Sequence, residues 1–176
     1  MPRVLTFVVS AVLAMAALPA RADDTAKFMQ RFSGAWIGSG QFLVGTDTGL
    51  EFACELKGDP SETKLTFGMT GTCRMGTLSA GINAKLRYNA DTQQFYGDFM
   101  GGAQGDGVDL VGARAGQGFS LRLVRGATQG RLAAQTIGKN EMKVTIYLKD
   151  PNSTAEMPVV AMGFTRKEVI TGSIAP

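Results

Sequence analysis

The chain has 176 residues, of which 44% are hydrophobic and 19% charged, with 23 glycines, two cysteines and no histidine. Against 15 acidic residues stand 18 basic ones, two of which (Arg3 and Arg21) fall in a leader, so the rest carries a net charge of about +1 and lacks the basic patch that nucleic-acid binding needs. The missing histidine excludes Ser-His-Asp and Cys-His nucleophile pairs and leaves zinc enzymology without imidazole ligands, so no cofactor is expected.

Residues Met1 to Ala22 read as a secretory signal: a basic start at Arg3, an apolar stretch from Val4 to Leu18, and the small-residue cleavage site Ala20-Arg21-Ala22 before Asp23. The apolar stretch, about 15 residues, is shorter than the roughly 20 that a spanning helix requires. No later segment is apolar enough to span, and no cysteine follows the cleavage site to carry a lipid anchor. Residues 1–22 are therefore expected to be removed, leaving 23–176 as a single domain, not membrane-spanning, in the periplasm. In that oxidising compartment Cys54 and Cys73 are expected to pair as a structural disulfide, since their spacing does not suit a Cys-x-x-Cys redox site.

After the leader, Asp24 or Thr25 is placed to cap a short helix from Ala26 to Phe32, with Phe28 and Phe32 on one face as a lid or plug. From Gly34 onward the pattern has a period of two. Ile82, Ala84, Leu86 and Tyr88 alternate with Asn83, Lys85, Arg87 and Asn89, and Met142, Val144, Ile146 and Leu148 repeat the pattern, as do Phe119, Leu121 and Leu123. Turn residues punctuate these runs, which predicts ten strands: 35–44, 49–57, 63–73, 81–89, 94–100, 107–113, 118–124, 130–137, 141–149 and 157–167. The expected fold is all-β, an antiparallel meander barrel of about 8–10 strands with a short N-terminal helix, closed so that no edge is left to recruit other chains. A turn near Asp59 and Pro60 would leave Cys54 and Cys73 out of direct opposition and require a bulge.

The segment from Phe32 to Gly40, which contains Gly34-Ala35-Trp36, resembles the Gly-x-Trp opening of the lipocalin and wider calycin barrels, where it follows a short N-terminal helix. The last strand, with Phe164, Thr165 and Arg166, is similar to the way those barrels set an arginine over the tryptophan. Parity agrees, because Arg166 shares a side with Val160, Met162 and Phe164 and so points inward, where the face of Trp36 offers a cation–π contact. Ten strands resemble the fatty-acid-binding and nitrobindin-like barrels more than the eight of lipocalins. The nitrobindin-like proteins hold haem through histidine, a route closed to this chain.

The resemblance implies a barrel whose interior takes a small apolar or amphipathic molecule, without enzymatic activity. Cavity candidates are Phe42, Phe99, Phe119, Met142 and Met162, with Trp36 and Arg166 as structural residues. Inward small residues such as Gly38, Gly40, Gly97, Ala84 and Ala134 leave volume that either large neighbours or a ligand must fill. Asp98, Asp106 and Asp109 form the surviving option for carboxylate or calcium chemistry, and Arg74, Arg87, Arg114, Arg122 and Arg131 read as solvated face residues, with contact to anionic lipid or glycan head groups at the rim as the alternative. A second expectation is an envelope protein partner, since small periplasmic metalloprotease inhibitors also resemble Gly-x-Trp barrels with one disulfide and act through their N-terminal segment.

Overall fold

The computed structural model describes residues 18–101, 107–150, 153 and 155–167. Helix α1 (Leu18–Gln30) is followed by strands β1 (Gly34–Phe42), β2 (Glu51–Ser61), β3 (Thr66–Met75), β4 (Leu78–Asn89), β5 (Gln94–Gly101), β6 (Val108–Ala115), β7 (Gly118–Arg125), β8 (Thr128–Ile137), β9 (Glu141–Lys149) and β10 (Glu156–Arg166). Each strand pairs antiparallel with its sequence neighbour, and β1 pairs with β10 to close the barrel. All ten expected strands are present, with ends shifted by a few residues.

Alternation sets the two faces. Trp36, Gly38, Gly40 and Phe42 point inward on β1, opposite Arg166, Phe164, Met162 and Val160 of β10. The rows continue through Phe67, Leu86, Gly97 and Leu110 on β3 to β6. Lys85, Arg87, Asp98, Asp109 and Arg122 occupy the opposite parity and face out. Apolar inside and charged outside is the inverse of a lipid-embedded barrel, whose outer band is apolar. Among the described residues no helix is long and apolar enough to cross a membrane.

The strands run between two unlike ends. At one, α1 lies across the barrel and inserts Phe28, Met29 and Phe32 into the core. Phe119 is the hub of this plug, with ring centroids 4.8 Å from Phe28, 4.7 Å from Phe32 and 4.9 Å from Phe95. The indole Nε1 of Trp36 donates to the Phe32 carbonyl at 3.0 Å, tying the end of α1 to β1. Arg166 lies 4.2 Å over the Trp36 ring, as expected from parity. Its guanidinium donates to the carbonyls of Ser33, Arg31 and Lys139, so a half-buried cation ties the α1–β1 and β8–β9 connections together. Burial pushes the Arg166 pKa below its usual value, but arginine starts so high that the group stays charged.

Three expectations need correcting. The helix begins at Leu18, so Asp24 and Thr25 lie inside it and neither caps it; Asp23 and Lys27 pair one turn apart on its exposed side, and Arg31 and Phe32 form the closing turn. Asp59 and Pro60 are not a turn. They extend β2, opposite Gly68 and Phe67, and the reversal falls at residues 62–65, where Leu65 takes φ 47°. Proline is tolerated at position 60 because pairing with β1 ends at Gly58, so no ladder bond is lost there. With that turn, Cys54 and Cys73 sit directly opposite each other, Cα atoms 4.0 Å apart, and form the disulfide without a bulge. Finally, Arg114 and Arg131 are more than solvated face residues. Arg114 has inward parity and its guanidinium lies 4.8 Å over Phe28, while Arg131 stacks 4.0 Å over Tyr147 and pairs with Glu156 at 2.7 Å.

Two stability predictions arise here. The disulfide closes a loop with a sequence separation of 19, worth about 3 kcal/mol in the chain-entropy account, so urea unfolding of a Cys54→Ser/Cys73→Ser variant should shift by that amount. An unchanged midpoint would rule out that account. The second concerns Gly58, where an added Cβ would come 1.9 Å from the Phe32 carbonyl oxygen, the acceptor of the Trp36 bond. Gly58→Ala should displace the end of α1 and cost about 1–3 kcal/mol, with loss of near-UV signal from Trp36 before loss of strand structure.

Candidate functional site

The interior carries two chambers in series. The inner one, about 120 Å³, is lined only by apolar side chains and the half-cystine Cys73, from Phe32 and Phe67 at the plugged end to Ile146 and Met162. The outer one, about 520 Å³, opens at the opposite end between Phe42, Phe52, Met75, Leu78 and Val160. Cys73, Ile82, Phe99, Ile146 and Met162 line both and form the waist between them.

The five cavity candidates fall along this path. Phe119 and Met142 line the inner chamber, Phe99 and Met162 the waist, and Phe42 the mouth. The small inward residues divide in two. The space beside Gly38 is taken by Phe164, and that beside Gly40 by Met162 and Phe52, so a Cβ at either position would come within 2.8 Å of those groups. Ala84 and Ala134, by contrast, border the inner chamber. Large neighbours fill the spaces beside Gly38 and Gly40, and the inner chamber remains between Ala84, Ala134 and the β10 side chains Met162 and Phe164.

The carboxylates give a different picture. Asp98 and Asp109 are direct cross-strand partners on the outer face, in an open saddle of about 790 Å³ with Lys85, Arg87 and Tyr96. Asp106, and with it most of the glycine-aspartate segment, lies outside the described residues. Among the described residues no group of three or more His, Cys, Asp or Glu side chains could hold a metal.

Sequence reasoning missed part of the mouth. Leu78, which is 66% exposed, was placed outside a strand, although the Gly76-Thr77 turn would have started β4 there; with inward parity opposite Met75, it forms part of the lip. Arg74, one of the exposed arginines singled out in the sequence, is the one charged residue lining the outer chamber. At the plugged end, Thr136 is buried; it accepts from Arg31 Nε at 3.0 Å and donates to the Gln117 carbonyl at 2.9 Å, so its hydroxyl is satisfied.

No protein-family model matches the chain, and no curated protein matches it significantly. Among solved structures, Rv2717c from M. tuberculosis is similar with a TM-score of 0.60 at 13% identity, over 82% of this chain and 98% of that one. The S-type phycobiliprotein lyase CPES from Guillardia theta is similar with a TM-score of 0.56 at 9% identity, over 81% of this chain and 92% of that one. At these identities the likeness shows the fold alone, a closed antiparallel barrel of ten strands.

Proposed function

We propose that the protein is a non-enzymatic carrier, periplasmic after loss of residues 1–22, that binds a small apolar or amphipathic molecule inside the barrel. The observation that carries this reading is the wholly apolar inner chamber, which shares a ring of five lining residues with a wide mouth. Apolar surface facing such a space gains by taking up an apolar guest. The chambers, about 120 and 520 Å³, together fall within the roughly 300–1,000 Å³ typical of ligand pockets. The disulfide supports an oxidising, exported location.

One of the two similar barrels is a phycobiliprotein lyase. For this chain the non-enzymatic reading is supported by an inner chamber that, among the described residues, presents no acid, base or free thiol. Inhibition of a protease by the N-terminal segment has less support: α1 packs Phe28 and Met29 into the core and is tied down through Phe32 and Arg31. Cleavage before Asp23 would shorten α1 and leave that plug in place.

The test is native mass spectrometry of protein released gently from the periplasm, compared with its denatured mass. An added mass on the order of a few hundred daltons that is lost on denaturation is the expected result. A bare native mass, together with no uptake of apolar probes by the purified protein, would overturn the reading.

A further inference from the structure

Resting on that lumen reading, we infer that the ligand is a single-chain amphiphile with an anionic head group, held tail-first with its head at the mouth beside Arg74. The inner chamber has no polar side chain among the described residues, so a head group carried into it would lose water and gain no partner, which is strongly unfavourable for a charge. Among the described residues, the inward-facing cations of the plugged end are both engaged: Arg166 by three carbonyls and Trp36, Arg114 by the Gly116 carbonyl and the Phe28 ring. Arg125 shares the inward parity of β7 at the open end but does not line the outer chamber. Only the tail is compatible with the interior. The head must stay where water and the mouth can serve it.

The mouth is built for the part of the molecule next to the head. Phe42, Phe52, Met75 and Leu78 make an apolar collar, and Met157, opposite Leu148, extends it with a side chain 51% exposed. Exposed apolar surface at a lip is covered when a chain lies across it. Below the collar, the waist of Cys73, Ile82, Phe99, Ile146 and Met162 leads to an inner chamber of about 120 Å³, close to the engineered apolar cavities of about 150 Å³ that hold benzene. A flexible unbranched tail passes such a constriction more readily than a fused ring system.

Arg74 supplies the sign of the head. It is exposed, it is the sole charge lining the outer chamber, and among the described residues it makes no ion pair or hydrogen bond. It has outward parity on β3, between the small cross-strand partners Ala53 and Ser79, and borders both the outer chamber and a groove on the outer face. Glu51 and Glu55 share the outer face of β2, yet neither bridges to it. An uncommitted guanidinium offers bidentate donors to a carboxylate, sulfate or phosphate.

The experiment titrates the full exported chain with decanoate, decanol and decyltrimethylammonium by calorimetry, at low and high salt, alongside Arg74→Gln and Arg74→Glu. Decanoate should bind about tenfold tighter than decanol and lose that advantage at high salt, while decyltrimethylammonium binds weakest. R74Q should bring decanoate to the level of decanol and leave decanol unchanged; R74E should reverse the order of the two ions. The melting temperature should not move, because the side chain at position 74 is exposed. Equal binding of all three probes, or a decanoate preference that survives in R74Q, overturns the head-group assignment and leaves the lumen reading standing. Failure of every probe, decanol included, overturns both.

Discussion

Replacing Trp36 with alanine is expected to lower the free energy of unfolding by about 4 kcal/mol, and so to reduce the melting temperature by roughly 10 °C for a domain of this size. Trp36 is 0% exposed and joins three parts of the plugged end. Its indole holds the Phe32 carbonyl at 3.0 Å, its ring carries the Arg166 guanidinium at 4.2 Å, and its body fills the space between β1 and α1. Alanine removes the volume, orphans a buried carbonyl and strips a half-buried cation of its aromatic face, penalties that fall on one site and do not relax independently. Trp36→Phe separates the terms: it keeps an aromatic face and loses the hydrogen bond, so its deficit should be about 1–2 kcal/mol. Urea melts of both variants make the comparison. A Trp36→Ala deficit below about 1 kcal/mol would mean that the helix and Arg166 do not depend on the indole at all.

Substituting Ala84 with phenylalanine should abolish uptake of apolar guests while leaving the fold intact. Ala84 lies opposite Met69 and Phe99 with inward parity and borders the inner chamber. A phenyl ring there takes up much of the roughly 120 Å³ that a guest would occupy. The added ring buries apolar area, so stability should change by no more than about 1–2 kcal/mol in either direction, whereas binding should fall at least tenfold. Decanol titration reads the binding and thermal melting reads the fold. Undiminished binding in a well-folded Ala84→Phe protein would place the guest outside the lumen. Ala134→Phe, on the opposite wall and bordering the same chamber, is the independent repeat.

Much of the barrel was legible in the residue order, for a local reason. Successive side chains on a strand point to opposite faces, so the alternation from Ile82 to Tyr88 or from Met142 to Leu148 marks inward positions without knowledge of the neighbouring strand. The same parity put Arg166 inside with Phe164 and Met162, and the Gly34-Ala35-Trp36 segment named its aromatic partner. The helix was legible in its buried face and not in its start, because the leader residues before Asp23 read as export signal rather than as structure. Pro60 misled for a related reason: as punctuation it reads as a turn, and only the place where β1 stops pairing makes it harmless within a strand.

The sequence by itself marked the strand runs, most of the inward set and the cysteine pair, since backbone geometry and turn chemistry act over a few residues. What the tertiary structure alone decided depends on distances across the barrel. Closure of β1 on β10 brings Phe164, Met162 and Phe52 into the spaces beside Gly38 and Gly40, while a cavity of about 120 Å³ remains beside Ala84 and Ala134. The residue order alone does not record which gaps are filled, because the filling groups come from strands far along the chain. For the same reason the two ends differ. One is plugged by Phe28, Met29 and Phe32 and locked by Arg166, and the other is left as an apolar mouth with Arg74 at its lip.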